Sequence, residues 1–341
     1  PQTGANGEGW KYQYSKDKIQ GFCQSHQCSP WVSDYAVYSF MPVVGDITVA
    51  QDQRAQKFAL KHEVARPHYY EVTFDNKMKT EMPPTDRGVH FRFSYPGSGD
   101  AYLVIDGYTD MSEVKIDAKK RQVSGWVNNQ RFVNDSKSFR SYFVVTFNQP
   151  FEDYGVWENV DNKIMPGATS GQGKGYGAYL KFKRGAKVEA KAASSYISEE
   201  QAMVTLQREL GDKRRFEDTK LEGQRVWNNL LGRVLVEGGT DEERRTFYSC
   251  LYRSNLFSRM FYEIKADGTP YYYSPYNGKI YDGRMYTDNG LWDTFRSQFP
   301  LTNILHPTMQ GHYMNALLAA QEQCGWLPSW SFPGETGGML G

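Results

Sequence analysis

Apolar and polar residues alternate through the first part of the chain. Tyr70, Val72 and Phe74 alternate with polar neighbours, as do Val89, Phe91 and Phe93, and later Val188, Ala190 and Ala192. A period of two turns one side of an extended chain toward a core and the other toward solvent. The runs 101–105 and 142–147 are richer in apolar residues and predict buried strands. Turn signals separate these segments: Pro96-Gly97-Ser98-Gly99-Asp100, and the stretch Gly171, Gly173, Gly175, Gly177. Many short strands at this spacing predict an antiparallel β-sandwich over residues 1–195.

The period then changes. Ser198-x-x-Gln201 is a capping-box sequence, and Met203, Leu206 and Leu210 follow at helical spacing. A second helix is predicted to end with Val226, Trp227, Leu230 and Leu231, stopped by Gly232. Thr240-x-x-Glu243 is another capping box, after which Phe247, Cys250, Leu251 and Ser254 share one face. Residues 196–232 therefore read as a helical linker, and a helical domain begins at 233. The Tyr-rich segment 262–286 holds Asp267-Gly268 and Asn277-Gly278 and predicts loops or a small hairpin. Helix returns over 291–299 and again after Pro307, running toward Gly325. Gly337-Gly338-Met339-Leu340-Gly341 resembles the start of a further helix. Residues 233–341 are too few to close a helical barrel, so the chain is expected to be a stretch of a longer protein.

Length and charge narrow the classes. With 341 residues, two domains are the default. Lys+Arg number 40 against 39 Asp+Glu, a net charge of +1 that argues against a nucleic-acid partner and gives no pull toward anionic lipid. No run approaches the roughly 18 apolar residues of a membrane span, and residues 1–10 lack the apolar core of a signal peptide. The 24 Tyr and 8 Trp accompany a mean hydropathy of −0.67. That combination suits either a sugar-handling surface, where flat rings meet sugar faces, or an all-β core rich in Tyr and Phe. Cys23, Cys28, Cys250 and Cys324 show no zinc spacing. A Cys23–Cys28 loop and buried free thiols both fit them, the thiols better.

Several motifs carry chemistry or only structure. No Lys-Ser or Lys-Thr follows the Gly171–Gly177 glycines, so they predict a hairpin loop rather than a phosphate cradle. His62-Glu63 is no zinc-protease motif, because Arg66 stands where a second His is needed; it reads as a polar pair at a strand end or domain contact. The loop Gly21–Tyr35 places His26 and Trp31 beside Pro30 and can project an indole into a pocket. Asp293, in Trp292-Asp293-Thr294-Phe295-Arg296, can pair with Arg296 one turn on. Alternatively, its carboxylate grips two sugar hydroxyls while an indole packs on the ring. Trp326 and Trp330, followed by Glu335, either line a cleft or pack between helices.

Together these stretches have a recognisable order: GFCQSHQCSPWVSDY (21–35), KHEVARPHYYEV (61–72), SYISEEQA (195–202), FYSCLYRS (247–254), LWDTFR (291–296), GWLPSW (325–330) and GETGGMLG (334–341). The chain resembles glycoside hydrolase family 92, the calcium-dependent exo-acting α-mannosidases. That resemblance implies an N-terminal β-sandwich followed by the beginning of an (α/α)6 barrel, with the pocket where the two meet. It implies removal of terminal α-linked mannose from mannose-rich glycans with inversion, assisted by Ca2+. An inverting enzyme needs an acid and a base roughly 6.5–9.5 Å apart; in the family these, and the calcium contacts, fall beyond Gly341, in the remainder of the same enzyme. What matches here is a substrate-binding wall. Asp293 corresponds to the family's carboxylate on the terminal mannose, and Trp31 to the ring lent by the sandwich domain. Trp292 and Glu335 are weaker members of that wall. The loop of His26 departs from the commoner family form, at a position that contacts a leaving sugar. A secreted, periplasmic or cell-surface location is expected. Two other readings stay open: a non-catalytic carbohydrate-binding protein, and a helical-barrel hydrolase of another sugar.

Overall fold

The computed structural model describes residues 1–3, 12–24, 38–107, 111–128 and 140–331. The candidate residues His26, Trp31 and Glu335, together with Cys28, lie outside the described residues. The chain divides into two compact units, the first reaching Gly223 and the second running from Gln224 onward.

Among the described residues the first unit holds two antiparallel sheets. The larger has ten strands, with Gly88–Ser94, Lys187–Ser195, Arg140–Phe147 and Gln122–Asn128 side by side near its middle. The smaller has six, centred on Tyr176–Phe182, Ala101–Asp106 and Ser39–Val44. The period of two decides which side chains meet. Phe91 and Phe93 point into the core, while His90 and Arg92 face the opposite way. Rings from the two sheets touch directly: Phe40 lies 5.1 Å from Phe91, Tyr38 stacks at 4.6 Å on Phe143, and Phe182 lies 5.7 Å from Phe147. The sheets thus share one hydrophobic core, as the alternation predicts for a sandwich.

The outer face of the larger sheet is also apolar in part. Helix Glu199–Leu210 lays Ala202 and Leu206 on Val144 and Ala193. Its N-cap is Ser198, whose Oγ accepts from the Gln201 N–H at 3.1 Å, while the Gln201 amide reaches forward to Thr205 Oγ1. Helix Phe216–Leu231 follows, ending at Gly232 as the pattern predicts.

Three sequence expectations are corrected here. The Gly171–Gly177 stretch is not a hairpin loop. Ser170–Lys174 is an edge strand of the ten-stranded sheet, and Tyr176–Phe182 belongs to the six-stranded one. The glycines serve ring packing: a Cβ on Gly171 would come within 2.2 Å of the Tyr176 ring, and one on Gly177 within 2.6 Å of the Trp157 indole nitrogen. His62-Glu63 lies inside strand Gln56–Arg66 at a register shift, not at a strand end, and Glu63 accepts from Tyr12 and Tyr70 hydroxyls at 2.6 Å each. Among the described residues Cys23, Cys250 and Cys324 are in no disulfide, but they are not buried thiols: Cys250 is exposed and the other two are only half-buried.

The second unit combines helices with small sheets. Helix Asp241–Ser254 starts at a complete capping box: Thr240 Oγ1 accepts from Glu243 N–H at 3.2 Å, and Glu243 accepts from Thr240 N–H at 2.7 Å. The Tyr-rich segment forms a three-stranded sheet of Glu263–Ile264, Pro270–Tyr273 and Ile280–Asp282, more than a single hairpin. Its turns use Gly268 and Gly278, both at positive φ. The helix predicted over 291–299 is two pieces, Leu291–Thr294 and Gln298–Leu305. Pro300 explains the break: it has no N–H for the carbonyl of Arg296, and it is tolerated in the first turn of a new helix. Helix Pro307–Cys324 ends at Gly325 with φ +88. No helix among the described residues is long and apolar enough to cross a membrane.

Candidate functional site

The site is built on the turn that joins strand Tyr286–Thr287 to helix Leu291–Thr294. Strand Arg259–Met260 pairs with Tyr286–Thr287. That pairing brings Arg259 beside the residue after the strand, and its Nε meets Asp288 Oδ2 at 2.8 Å. Both side chains are largely out of water, 15% and 0% exposed. Asp288 itself sits at φ +66, a left-handed conformation that Asp adopts more readily than most residues.

A second segment braces the same turn. The Asp288 N–H donates to the Ser331 carbonyl at 2.6 Å, and the Ser331 N–H returns to the Asn289 carbonyl at 3.0 Å. The Asn289 N–H also donates to Ser331 Oγ at 3.2 Å. Gly290 then bridges to Trp330. The turn from Asp288 to Gly290 is thus clamped by Ser331 from one side and Arg259 from the other. Beneath it, Tyr286 packs against Tyr313 at 4.9 Å and against Tyr262 at 5.6 Å.

Gly290 opens the helix that carries Asp293. Its carbonyl accepts from Asp293 N–H and Thr294 N–H, each at 3.1 Å, and from Thr294 Oγ1 at 3.0 Å. Having no side chain, Gly290 admits two groups to the same spot. A Cβ there would stand 3.0 Å from Asp293 Oδ2 and 3.1 Å from the six-membered ring of Trp330. The carboxylate and the ring are therefore within about 6 Å of one another.

Asp293 does not pair with Arg296. The Arg296 guanidinium lies over the Phe295 ring at 5.3 Å, and among the described residues the exposed Asp293 carboxylate has no ion pair and no side-chain hydrogen bond. An unspent, exposed carboxylate can accept from two hydroxyls on a sugar edge. Of the other predicted members, the Trp292 backbone belongs to helix Leu291–Thr294, and its side chain is outside what is described. Trp326 stands 74% exposed, whereas Trp330 is buried against Gly290. Sequence reading marked Trp330 only as one of a pair, held Asp288 in reserve as a carboxylate to mutate, and did not single out Arg259 or Ser331. The signal available was a Gly after Asp-Asn and before Trp-Asp, with a Trp-Ser forty residues on.

Among the described residues no group of three or more His, Cys, Asp or Glu side chains is placed to hold a metal. Asp288 is committed to Arg259, and Asp293 stands alone.

Comparison with known proteins finds two domain matches in succession along the chain. The glycosyl hydrolase family 92 N-terminal domain matches residues 1–195, and the glycosyl hydrolase family 92 catalytic domain matches residues 201–341. The family GH92 inverting mannosidase BT2199 from Bacteroides thetaiotaomicron is 42% identical, with a TM-score of 0.95 over 100% of this chain and 46% of its own. The family GH92 α-mannosidase BT3965 of the same organism is 24% identical and has a TM-score of 0.85 over 97% of this chain and 47% of its own. Its complex with mannoimidazole gives 0.83, at 24% identity, over 95% and 45%. No curated protein matches by sequence. The chain thus spans less than half the length of these solved relatives, yet two domain matches and 42% identity along its whole length agree. It belongs to glycosyl hydrolase family 92.

Proposed function

We propose that the full-length protein removes terminal α-linked mannose from mannose-rich glycans with inversion, and that this chain supplies part of the wall that holds the departing mannose. The observation that carries the reading is the Asp293 carboxylate, exposed and, among the described residues, without a side-chain partner, within about 6 Å of the Trp330 ring across Gly290. It lies in a family 92 chain 42% identical to a protein described as an inverting mannosidase. A relative solved with mannoimidazole adds support for a mannose-shaped ligand.

The reading divides labour along the chain. Residues 1–195 are the sandwich domain, 196–232 the helical linker, and 233–341 the first part of an (α/α)6 barrel. Exposed apolar residues on the helices, among them Leu318 at 57% and Ile304 at 77%, are surfaces that further barrel helices would cover. Asp293 binds hydroxyls rather than acting as acid or base. Inversion needs one carboxyl to protonate the leaving oxygen and a second to activate water on the opposite face. We assign both, and the calcium ligands, to sequence beyond Gly341, where the family's pattern puts them. When bound, calcium supplies a hard cation for sugar hydroxyls. Trp31, Trp292, Glu335 and His26 complete the proposed contacts. Glycan substrates of this kind place the enzyme outside the cytoplasm: secreted, periplasmic or cell-surface.

A panel of aryl glycosides tests the reading on the full-length enzyme. Turnover is expected on the α-mannoside and not on the α-glucoside or α-galactoside, and Asp293→Ala should cost roughly tenfold or more in kcat/KM, the loss of a charge-assisted hydrogen bond. Mannose binding without turnover would make the protein a lectin. Unchanged kinetics in Asp293→Ala would remove Asp293 from the wall.

A further inference from the structure

The outer face of the larger sheet carries a cleft of about 800 Å3. Its floor comes from strands Gly88–Ser94, Arg140–Phe147 and Lys187–Ser195, and its walls from the turn at Arg121, from residues 212–215 between two helices and from the start of helix Phe216–Leu231. The volume is in the range of small-molecule sites. Seven Lys or Arg line it against three Asp or Glu, a surplus of four in a chain whose net charge is only +1.

Internal pairing cancels part of that surplus: Lys120 meets Asp117 at 3.5 Å and Arg215 meets Asp218 at 2.7 Å, two carboxylates outside the lining. Arg92 takes up two of the three carboxylates, Glu189 at 3.1 Å and Glu217 at 2.9 Å, while its guanidinium lies over Phe216. Four other cations remain. Among the described residues the Arg121 side chain donates only to the Asn148 carbonyl, and that of Lys191 only to the backbone carbonyls of Gly211 and Asp212. Lys213 is exposed and has no carboxylate partner among the described residues. Arg214 has a buried Nε with no hydrogen-bond acceptor.

We propose that this cleft is a binding site for a phosphoryl group. Several cations gathered in one concavity exceed what a single carboxylate neutralises and suit a dianion. The guanidinium fork of Arg214 matches two phosphoryl oxygens. The rest of the cleft leaves room for the molecule that bears the phosphate. Two sources share this chemistry, a phosphorylated sugar and free inorganic phosphate. The site stands independently of the mannoside reading; only the choice of mannose as the sugar probe rests on it.

Calorimetry on the full-length protein at low salt tests the site with inorganic phosphate, mannose 6-phosphate and uncharged mannose. Both phosphate probes should bind saturably and compete with each other, and both should weaken as sodium chloride is added. Lys213→Glu and Arg214→Gln should each weaken them roughly tenfold or more while leaving hydrolysis of a neutral aryl α-mannoside unchanged. Lys213 is exposed, so its variant should fold even if Arg214→Gln does not. Tighter binding of mannose 6-phosphate than of phosphate identifies a phosphorylated glycan as the ligand; equal binding identifies free phosphate. No saturable binding of either probe, or binding undiminished in the folded Lys213→Glu variant, overturns the proposal. An enzyme that binds phosphate but ignores mannosides would sink the mannosidase reading and leave this one standing.

Discussion

Asp293 was legible as a candidate from its motif, but local spacing left it two fates, a helix pair with Arg296 or a ligand. The structure removes the first, since Arg296 lies over Phe295, and it shows Gly290 making room for the carboxylate and for Trp330 together. That contact spans forty residues of chain, and no window of periodicity reaches so far. Arg54 shows the same limit more sharply. Nothing in its neighbourhood marks it as a core residue, yet it is fully buried, paired with Asp106, and donates to the Val49 carbonyl at 2.6 Å. Arg54→Ala takes the guanidinium away from the buried Asp106 carboxylate and should destabilise by about 3–5 kcal/mol, read as a shift in the denaturant midpoint at constant m-value. His90 gives a pH signature. Burial holds its imidazole down at about 4, and the Glu189 carboxylate 3.4 Å away offsets only part of that effect, with Lys191 and Arg92 pushing the same way as burial. A histidine depressed in the fold binds its proton more readily when unfolded. Its contribution to stability is therefore complete above the ordinary value near 6.5, falls as pH drops from there to about 4, and changes no further below. His90→Gln should flatten the melting temperature across that window; a slope as steep as the parent's would assign the pH dependence to other groups.

Elements were read best where two signals agreed. Thr240-x-x-Glu243 preceded a helical run, and both bonds of the box are present. Ser198-x-x-Gln201 also starts its helix, although the Gln201 side chain reaches to Thr205. The glycine stretch was misread because glycine has two uses. Turn formation is the commoner, and here the use is a flat surface for aromatic rings, which depends on Tyr176 and Trp157 lying across other strands. Gly177→Ala tests that account. Its Cβ would stand 2.3 Å from the Ile105 carbonyl oxygen and 2.6 Å from Trp157 Nε1, which itself donates to that carbonyl. Overpacking at such a site should cost about 1–3 kcal/mol, seen as a lower melting temperature and altered tryptophan emission. A variant as stable as the parent would mean that the strand has slack there.

At the scale of the molecule, the order of parts was legible because the hydrophobic period switches from two to helical near residue 195. Sheet pairing was not, since strands far apart in sequence, such as Ser39–Val44 and Ala101–Asp106, lie side by side. The site was legible only in outline: one carboxylate and a set of aromatics, without the Arg259–Asp288 pair or the Ser331 clamp that hold the turn. The central claim concerns the whole enzyme, that it cleaves α-mannosides with inversion while Asp293 grips the departing sugar. Proton NMR of the first minutes of hydrolysis of an α-mannoside by the full-length protein tests it most directly, because the anomer released is recorded before mutarotation. The account predicts β-mannose first, at a rate cut roughly tenfold or more by Asp293→Ala. Release of α-mannose first, or β-mannose at an undiminished rate from the Asp293→Ala enzyme, would contradict it.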